Sequence, residues 1–203
     1  MNHRDSVTLK DGRECVIRPV TVDDTERFYH MMCRLDEETE YMMYEPGERQ
    51  ARTRDLSRLR AVVEGAASGA DLLLVAVNDR EEIIGYIWAE RGKLNRMLHT
   101  AYIVIGIRRA FRRQGLGSQF LYRLDDWAES SGIVRLELTV ECENTGAKTL
   151  YEKHGFQVEG LREKSMNING RLVDEFYMGK IMNDSFRGNP HRCLSAKKAK
   201  GAT

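Results

Sequence analysis

The sequence predicts a single α/β domain built on a mixed sheet, and three observations carry that prediction. A strand, "HTAYIVIGI" (His99–Ile107), leads into an amphipathic helix from Gly117 and then into a second strand, "IVRLELTV". Such a strand–helix–strand unit implies a right-handed parallel crossover. Hairpin signals lie on both sides of it and demand antiparallel neighbours, so the sheet must mix the two pairings. The chain has 203 residues, 41% of them hydrophobic and 31% charged, which suits one core of useful size. The domain is assigned to residues 1–186. The stretch 187–203 contains no acid, carries Lys197, Lys198 and Lys200, and reads as a basic, disordered tail.

The elements follow in order, without internal repeat. "VTLKDGRECVIRPV" is a hairpin turning at Asp11-Gly12. Asp23 or Asp24 caps a helix to about Leu35. An acidic loop and an Arg-rich helix fill Asp36 to Gly69. "DLLLVAV" and "EIIGYIWAER" form a hairpin around "NDREE". Gly106, unusual inside the strand that follows, signals a bulge or a close backbone approach by a ligand. After Gly117, Phe120, Leu121, Leu124, Trp127 and Ala128 keep helical spacing until Gly132 stops the helix. In the next strand Val134, Leu136, Leu138 and Val140 face one way, and Arg135, Glu137 and Thr139 the other. Asn144 caps a short helix ending at His154-Gly155. A last hairpin turns at Asn169-Gly170, its second strand reaching about Ile181.

Composition excludes several classes. A formal net charge of +1 gives no electrostatic ground for nucleic-acid binding. The longest apolar runs, such as "LLLVAV", fall far short of the roughly 20 residues of a membrane span. The N-terminus has no apolar signal segment. Cys15, Cys33, Cys142 and Cys193 lie far apart, as expected of reduced thiols in a cytoplasmic protein with no metal site.

The chemistry concentrates in "RRAFRRQGLGSQF" (Arg108–Phe120), where four arginines precede Gly115 and Gly117 at a helix start. Unpaired N–H groups and the helix dipole make such a start an anion site. Glycines allow close backbone approach, and Arg112 and Arg113 add charge-assisted hydrogen bonds. A P-loop would need Gly-Lys-Ser/Thr, but Ser118-Gln119 follows Gly117. A dinucleotide loop would need a third glycine where Phe120 stands, and an acid at the end of the next strand, where Glu137 lies in mid-strand. Arg-x-x-Gly-x-Gly after a strand remains, met by Arg112, Gly115 and Gly117.

In that context the chain resembles the GNAT superfamily of acyl-CoA-dependent N-acetyltransferases. "AYIVIGIRRAFRRQGLGSQFL" is similar to the family's strand, pyrophosphate loop and helix. "LELTVECENTGAKTLYEKHGFQVEG" is similar to its next strand and helix, with Asn144, Ala147, Leu150, Tyr151, Gly155 and Phe156 filling the signature. The resemblance is close over about Leu72 to Met182 and looser before that. It implies a mostly antiparallel sheet with helices on both faces and a splayed parallel strand pair. It implies acetyl-CoA as co-substrate, an amine as acceptor, and a homodimer as the expected assembly. Arg112, Arg113, Gln114, Gly115, Gly117 and Ser118 would hold the pyrophosphate. The backbone of Ile105 and Ile107, with Asn144, would hold the pantetheine arm. Tyr151 would give a proton to the departing sulfur.

The acceptor must lose a proton before it attacks, because a free alkylamine has a pKa of roughly 10.4. Glu90, Glu141, His99 and Asp174 are candidates for that base, each also readable as a surface or structural residue. "DEETEYMMYEPGE" (Asp36–Glu48) holds six carboxylates and no Lys or Arg. It would draw in a cationic amine, or it is an acidic loop balanced by the arginines after it. Tyr41, Met42, Met43 and Tyr44 within it form an apolar wall or core packing. The acceptor expected is a polyamine, a small amine or a peptide N-terminus. The competing readings are a non-catalytic acyl-CoA sensor and, less in keeping with the charge, a nucleic-acid binder using its arginines.

Overall fold

Eight strands form one sheet in the computed structural model, which describes residues 5–53 and 55–182. In chain order the elements are β1 (Asp5–Thr8), β2 (Glu14–Pro19), α1 (Thr25–Glu38), α2 (Glu48–Arg52), α3 (Ser57–Ala67), β3 (Leu72–Asn78) and β4 (Ile83–Arg91). They continue with β5 (Thr100–Ile107), α4 (Leu116–Ser130), β6 (Arg135–Glu141), α5 (Thr145–Lys153), β7 (Gln157–Ile168) and β8 (Arg171–Ile181). The strands lie in the order β1-β2-β3-β4-β5-β6-β8-β7. Every neighbouring pair is antiparallel except β5 and β6. The assigned tail 187–203 lies outside the described residues, as do the end of the assigned domain and Cys193.

Two cores cover the two faces. On one, Phe120, Leu121, Leu124, Trp127 and Ala128 of α4 are buried against Ala101, Ile103, Leu136 and Leu138, as helical spacing and strand alternation require. On the other, Phe28, Met31, Met32 and Leu35 of α1 and Val63 of α3 pack on Leu73, Val75 and Tyr86. No helix among the described residues is long and apolar enough to cross a membrane.

Several boundaries and reasons differ from the expectation. The helix expected to stop near Leu35 runs to Glu38, because Leu35 and Asp36 are both buried and hold its last turn on the sheet. Asp24 closes a 3-10 turn before α1, and its carboxylate accepts from Arg18, Arg27 and the Thr21 N–H. Two helices occupy the region expected to hold one. The helix expected from Gly117 begins at Leu116, with Gly115 at its N-cap. Gly106 makes no bulge, since the β4–β5 register runs unbroken from Gly85↔Ile107 to Arg91↔Ala101. A Cβ there would lie 2.4 Å from the Tyr86 ring and 2.7 Å from Leu35. The glycine is required by packing across the sheet and by α1 lying over it.

Candidate active site

The sheet has a gap at its centre. β5 and β6 pair only at Thr100↔Arg135, Ala101↔Leu136 and Tyr102↔Glu137, then part. β5 continues to Ile107 and β6 to Glu141. The bond from the Arg108 N–H to the Ile84 carbonyl, 2.9 Å, fixes the phase of the β4–β5 ladder. Even-numbered residues of β5 turn their main-chain groups to β4, so those of Ile103, Ile105 and Ile107 turn toward the gap. The Tyr102 hydroxyl spans the base of the opening, 2.9 Å from the Thr139 hydroxyl, and accepts from the Thr139 N–H at 3.2 Å.

The glycine loop lies at the carboxyl end of β5. Gly115 has φ +90°, a left-handed conformation that favours glycine, and no side-chain atom comes closer than Lys10 at 3.9 Å to where its Cβ would be. Gly117 has a different reason from the one expected. Its Cβ would stand 2.7 Å from Leu150, so it lets α4 pack closely on α5 rather than opening the loop.

The arginines divide into two pairs. Arg108 and Arg109 both bind Glu38 at the end of α1, Arg108 at 2.6 Å. They are internal counter-charges. Arg112 stays at the loop and donates to the Ile107 carbonyl at 2.9 Å. Arg113 is exposed, with its guanidinium beside Gly146 at the start of α5.

Other assigned residues are partly occupied. The Gln114 carbonyl accepts from the Lys10 N–H at 3.2 Å. The Ser118 hydroxyl lies 3.0 Å from His154 Nε2. Asn144 accepts from the Ala147 N–H at 3.2 Å, so it caps α5 as expected and keeps its NH₂ free of that bond.

Tyr151 is 7% exposed and meets Phe156 edge-on, ring centroids 5.7 Å apart. Burial raises its phenol well above the ordinary value, and the nearby phenols of Tyr102 and Tyr86 raise it further. Burial likewise pushes Tyr86 up to about 12. Tyr151 and Tyr86 stay protonated at neutral pH. Tyr86 and Tyr102 were not picked out from the sequence, although the alternation in "AYIVIG" already separates Tyr102 from the buried Ala101 and Ile103.

The four candidate bases separate clearly. Glu90 pairs with Lys93 at 2.5 Å. Asp174 accepts from the Lys164 N–H at 2.7 Å. His99 is exposed. Glu141, the last residue of β6, is 5% exposed, and its Oε1 is buried without a partner among the described residues. Burial, then Glu40 and Glu175, push its carboxyl up to about 7.

The acidic stretch is largely spent internally. Asp36 forms a buried pair with Arg49 at 2.6 Å, Glu38 takes Arg108 and Arg109, and Glu48 pairs with Arg52 at 2.7 Å. Of the apolar wall expected there, Met42 packs on the second core. Tyr44 stacks with Arg49, while Tyr41 and Met43 are exposed.

Known proteins share this arrangement. The profile described as "Acetyltransferase (GNAT) family" matches residues 29–156. N-alpha-acetyltransferase RimI of Mycobacterium tuberculosis is 30% identical over 154 residues, 75% of this chain and 87% of that protein. L-amino acid N-acetyltransferase AaaT of Escherichia coli is 30% identical over 112 residues, 53% of this chain and 67% of that protein. Two Bacillus subtilis N-acetyltransferases are matched over 54% and 51% of their length, and two mycothiol acetyltransferases over 26% and 30%. The acetyltransferase yncA of Salmonella typhimurium, solved with its cofactor acetyl-CoA, has the same fold. It superposes with a TM-score of 0.74 at 19% identity, over 87% of this chain and 98% of that one. A split central sheet with a glycine loop at its mouth, and a family match spanning both, lead to one conclusion: the chain belongs to the GNAT family and is an acetyl-CoA-dependent N-acetyltransferase.

Proposed function

We propose that the acceptor is a primary amine that arrives as a cation (a polyamine, a small amine or a peptide N-terminus) and attacks the thioester directly. The observation that carries this is the gap between β5 and β6, with a buried, protonated Tyr151 on one face and the unpartnered Glu141 at its end. The names of the relatives support it, since AaaT is described as acting on L-amino acids and RimI on α-amino groups.

In this reading the pyrophosphate sits on the N–H groups that open α4, with Arg112 and Arg113 as counter-charges. Gly115 lets the loop turn there, and Gly117 lets α4 pack against α5. Gln114 and Ser118 take part through the backbone, because Ser118's hydroxyl is committed to His154. Ile105 offers both main-chain groups to the pantetheine amides. Ile107 offers its N–H, its carbonyl being held by Arg112. Asn144 offers its NH₂ from the start of α5. Tyr151 gives its proton to the departing thiolate. A raised pKa keeps that proton in place until the sulfur's charge develops.

Free-thiol release from acetyl-CoA with spermidine, L-amino acids and short peptides tests the reading. Release dependent on one amine class is the expected outcome. Acetyl-CoA binding without release with any of these amines would overturn this choice of acceptor.

A further inference from the structure

We infer that Glu141 seats the acceptor's ammonium group and removes its proton; this rests on the acetyl-transfer reading above. Strand alternation gives the first support. In β6, Leu136, Leu138 and Val140 face the α4 core, so Glu141 shares the opposite face with Thr139 and Glu137. That is the face covered by α1, whereas Tyr151 packs in the core on the α4 side. Proton donor and proton acceptor therefore approach the gap from opposite faces.

Register gives the second support. Tyr102 and Glu137 are the last residues paired across β5 and β6. Four residues further along each strand stand Gly106 and Glu141, so Glu141 flanks the open part of the gap at the level of Gly106 and Tyr86.

The third support is the state of the carboxylate. Glu141 is more than nine-tenths buried, yet Oε1 has no hydrogen-bond partner among the described residues. Its neighbours do not neutralise it. Glu175, directly across the β6–β8 ladder, is paired with Arg162 at 3.0 Å. Glu143, on the turn after β6, is paired with Arg171 at 2.6 Å. Asp174 binds the Lys164 N–H. Glu40, after α1, adds a further negative charge, and Arg171 offsets part of it. A buried carboxylate with an orphan oxygen, no paired cation among the described residues and Glu40 nearby is an unfilled seat for a cation.

The step balances as follows. Glu141 takes one proton from the ammonium, which frees the nitrogen lone pair. Nitrogen bonds to the thioester carbonyl carbon, and the carbon–sulfur bond breaks with its electron pair on sulfur. The thiolate takes the Tyr151 proton, and the second proton leaving nitrogen restores the phenol. Glu141 releases its proton to water, so one proton is produced per turnover. A pKa near 7 poises Glu141 between holding and releasing it.

The test is Glu141→Gln in the full chain, assayed from pH 6 to 10 with whichever of spermidine, L-methionine or an alanyl peptide the wild type acetylates. Acetyl-CoA affinity by calorimetry should stay within twofold. Transfer at pH 7 should fall on the order of a hundredfold. The limb near pH 7 in the kcat/KM profile for the amine should vanish, leaving a rise that follows the free-amine fraction, so the deficit should shrink toward pH 10. Glu40→Gln should move the wild-type limb to lower pH, because removing a neighbouring negative charge lowers the Glu141 pKa. Glu141→Gln transfer within threefold of wild type, or a limb near pH 7 that survives the substitution, overturns the assignment. A wild type that acetylates none of these amines overturns the proposed acceptor class instead.

Discussion

The two sides of the gap are built in different ways. On the α4 side, the groups proposed to hold the cofactor come from one run of sequence, Ile105 to Phe156, and many are backbone: a left-handed glycine, a helix start, strand N–H groups. On the α1 side, every functional contact joins residues far apart in the chain. Arg108 meets Glu38, Gly106 meets Tyr86 and Leu35, and Glu40 lies near Glu141. A site for a constant cofactor can be encoded as a local motif. A site for a variable acceptor is assembled from side chains that only the fold brings together.

Breaking the α1 side should cost stability first. Asp36→Ala leaves Arg49 buried without its partner, and a loss of about 3–5 kcal/mol is expected, read as a lower denaturation midpoint. Breaking the α4 side should cost rate. Tyr151→Phe should lower kcat on the order of a hundredfold, about 2.7 kcal/mol, with acetyl-CoA affinity unchanged in calorimetry.

A third measurement sharpens the contrast, because Glu141 weakens the fold that it serves. Its pKa is about 7 in the folded protein against an ordinary 4.5. A raised carboxyl pKa means that the folded chain binds the extra proton, so stability is lost as pH rises from about 4.5 through about 7. Glu141→Gln should match the wild type below pH 4.5 and exceed it by about 1–3 kcal/mol above pH 8, in urea titrations at the two pH values. Smallest is Arg112→Ala, with a rise in KM for acetyl-CoA of about fivefold to tenfold, since one charge-assisted contact of several is removed.

The same division governs what the sequence made legible. The parallel crossover, α4, β6, α5 and both outer hairpins follow from spacing, caps and turn residues, and they stand where expected. So does Asn144 as a cap. The packing need for Gly106 and Gly117 was not legible, because their crowding neighbours Tyr86, Leu35 and Leu150 lie on other elements. Glu141 was one of four equal candidates until burial and pairing separated it from Glu90, Asp174 and His99. The charge runs stayed ambiguous in the sequence, because which charges pair depends on the fold. Arg108, Arg109, Asp36 and Glu38 look like recognition surfaces in one dimension and are cross-ties in three.

The gap also changes where this protein keeps an unpaired strand edge. Beyond Tyr102, the five residues to Ile107 have a neighbour on one flank only, over about 16 Å at ~3.3 Å per residue. An open edge on the rim of a sheet invites another chain to add a strand. This one lies in mid-sheet, with β6 across the gap and helices on both faces. A slender arm carrying amides can still complete the ladder. The protein thus keeps this length of unpaired backbone inside its sheet rather than on the rim.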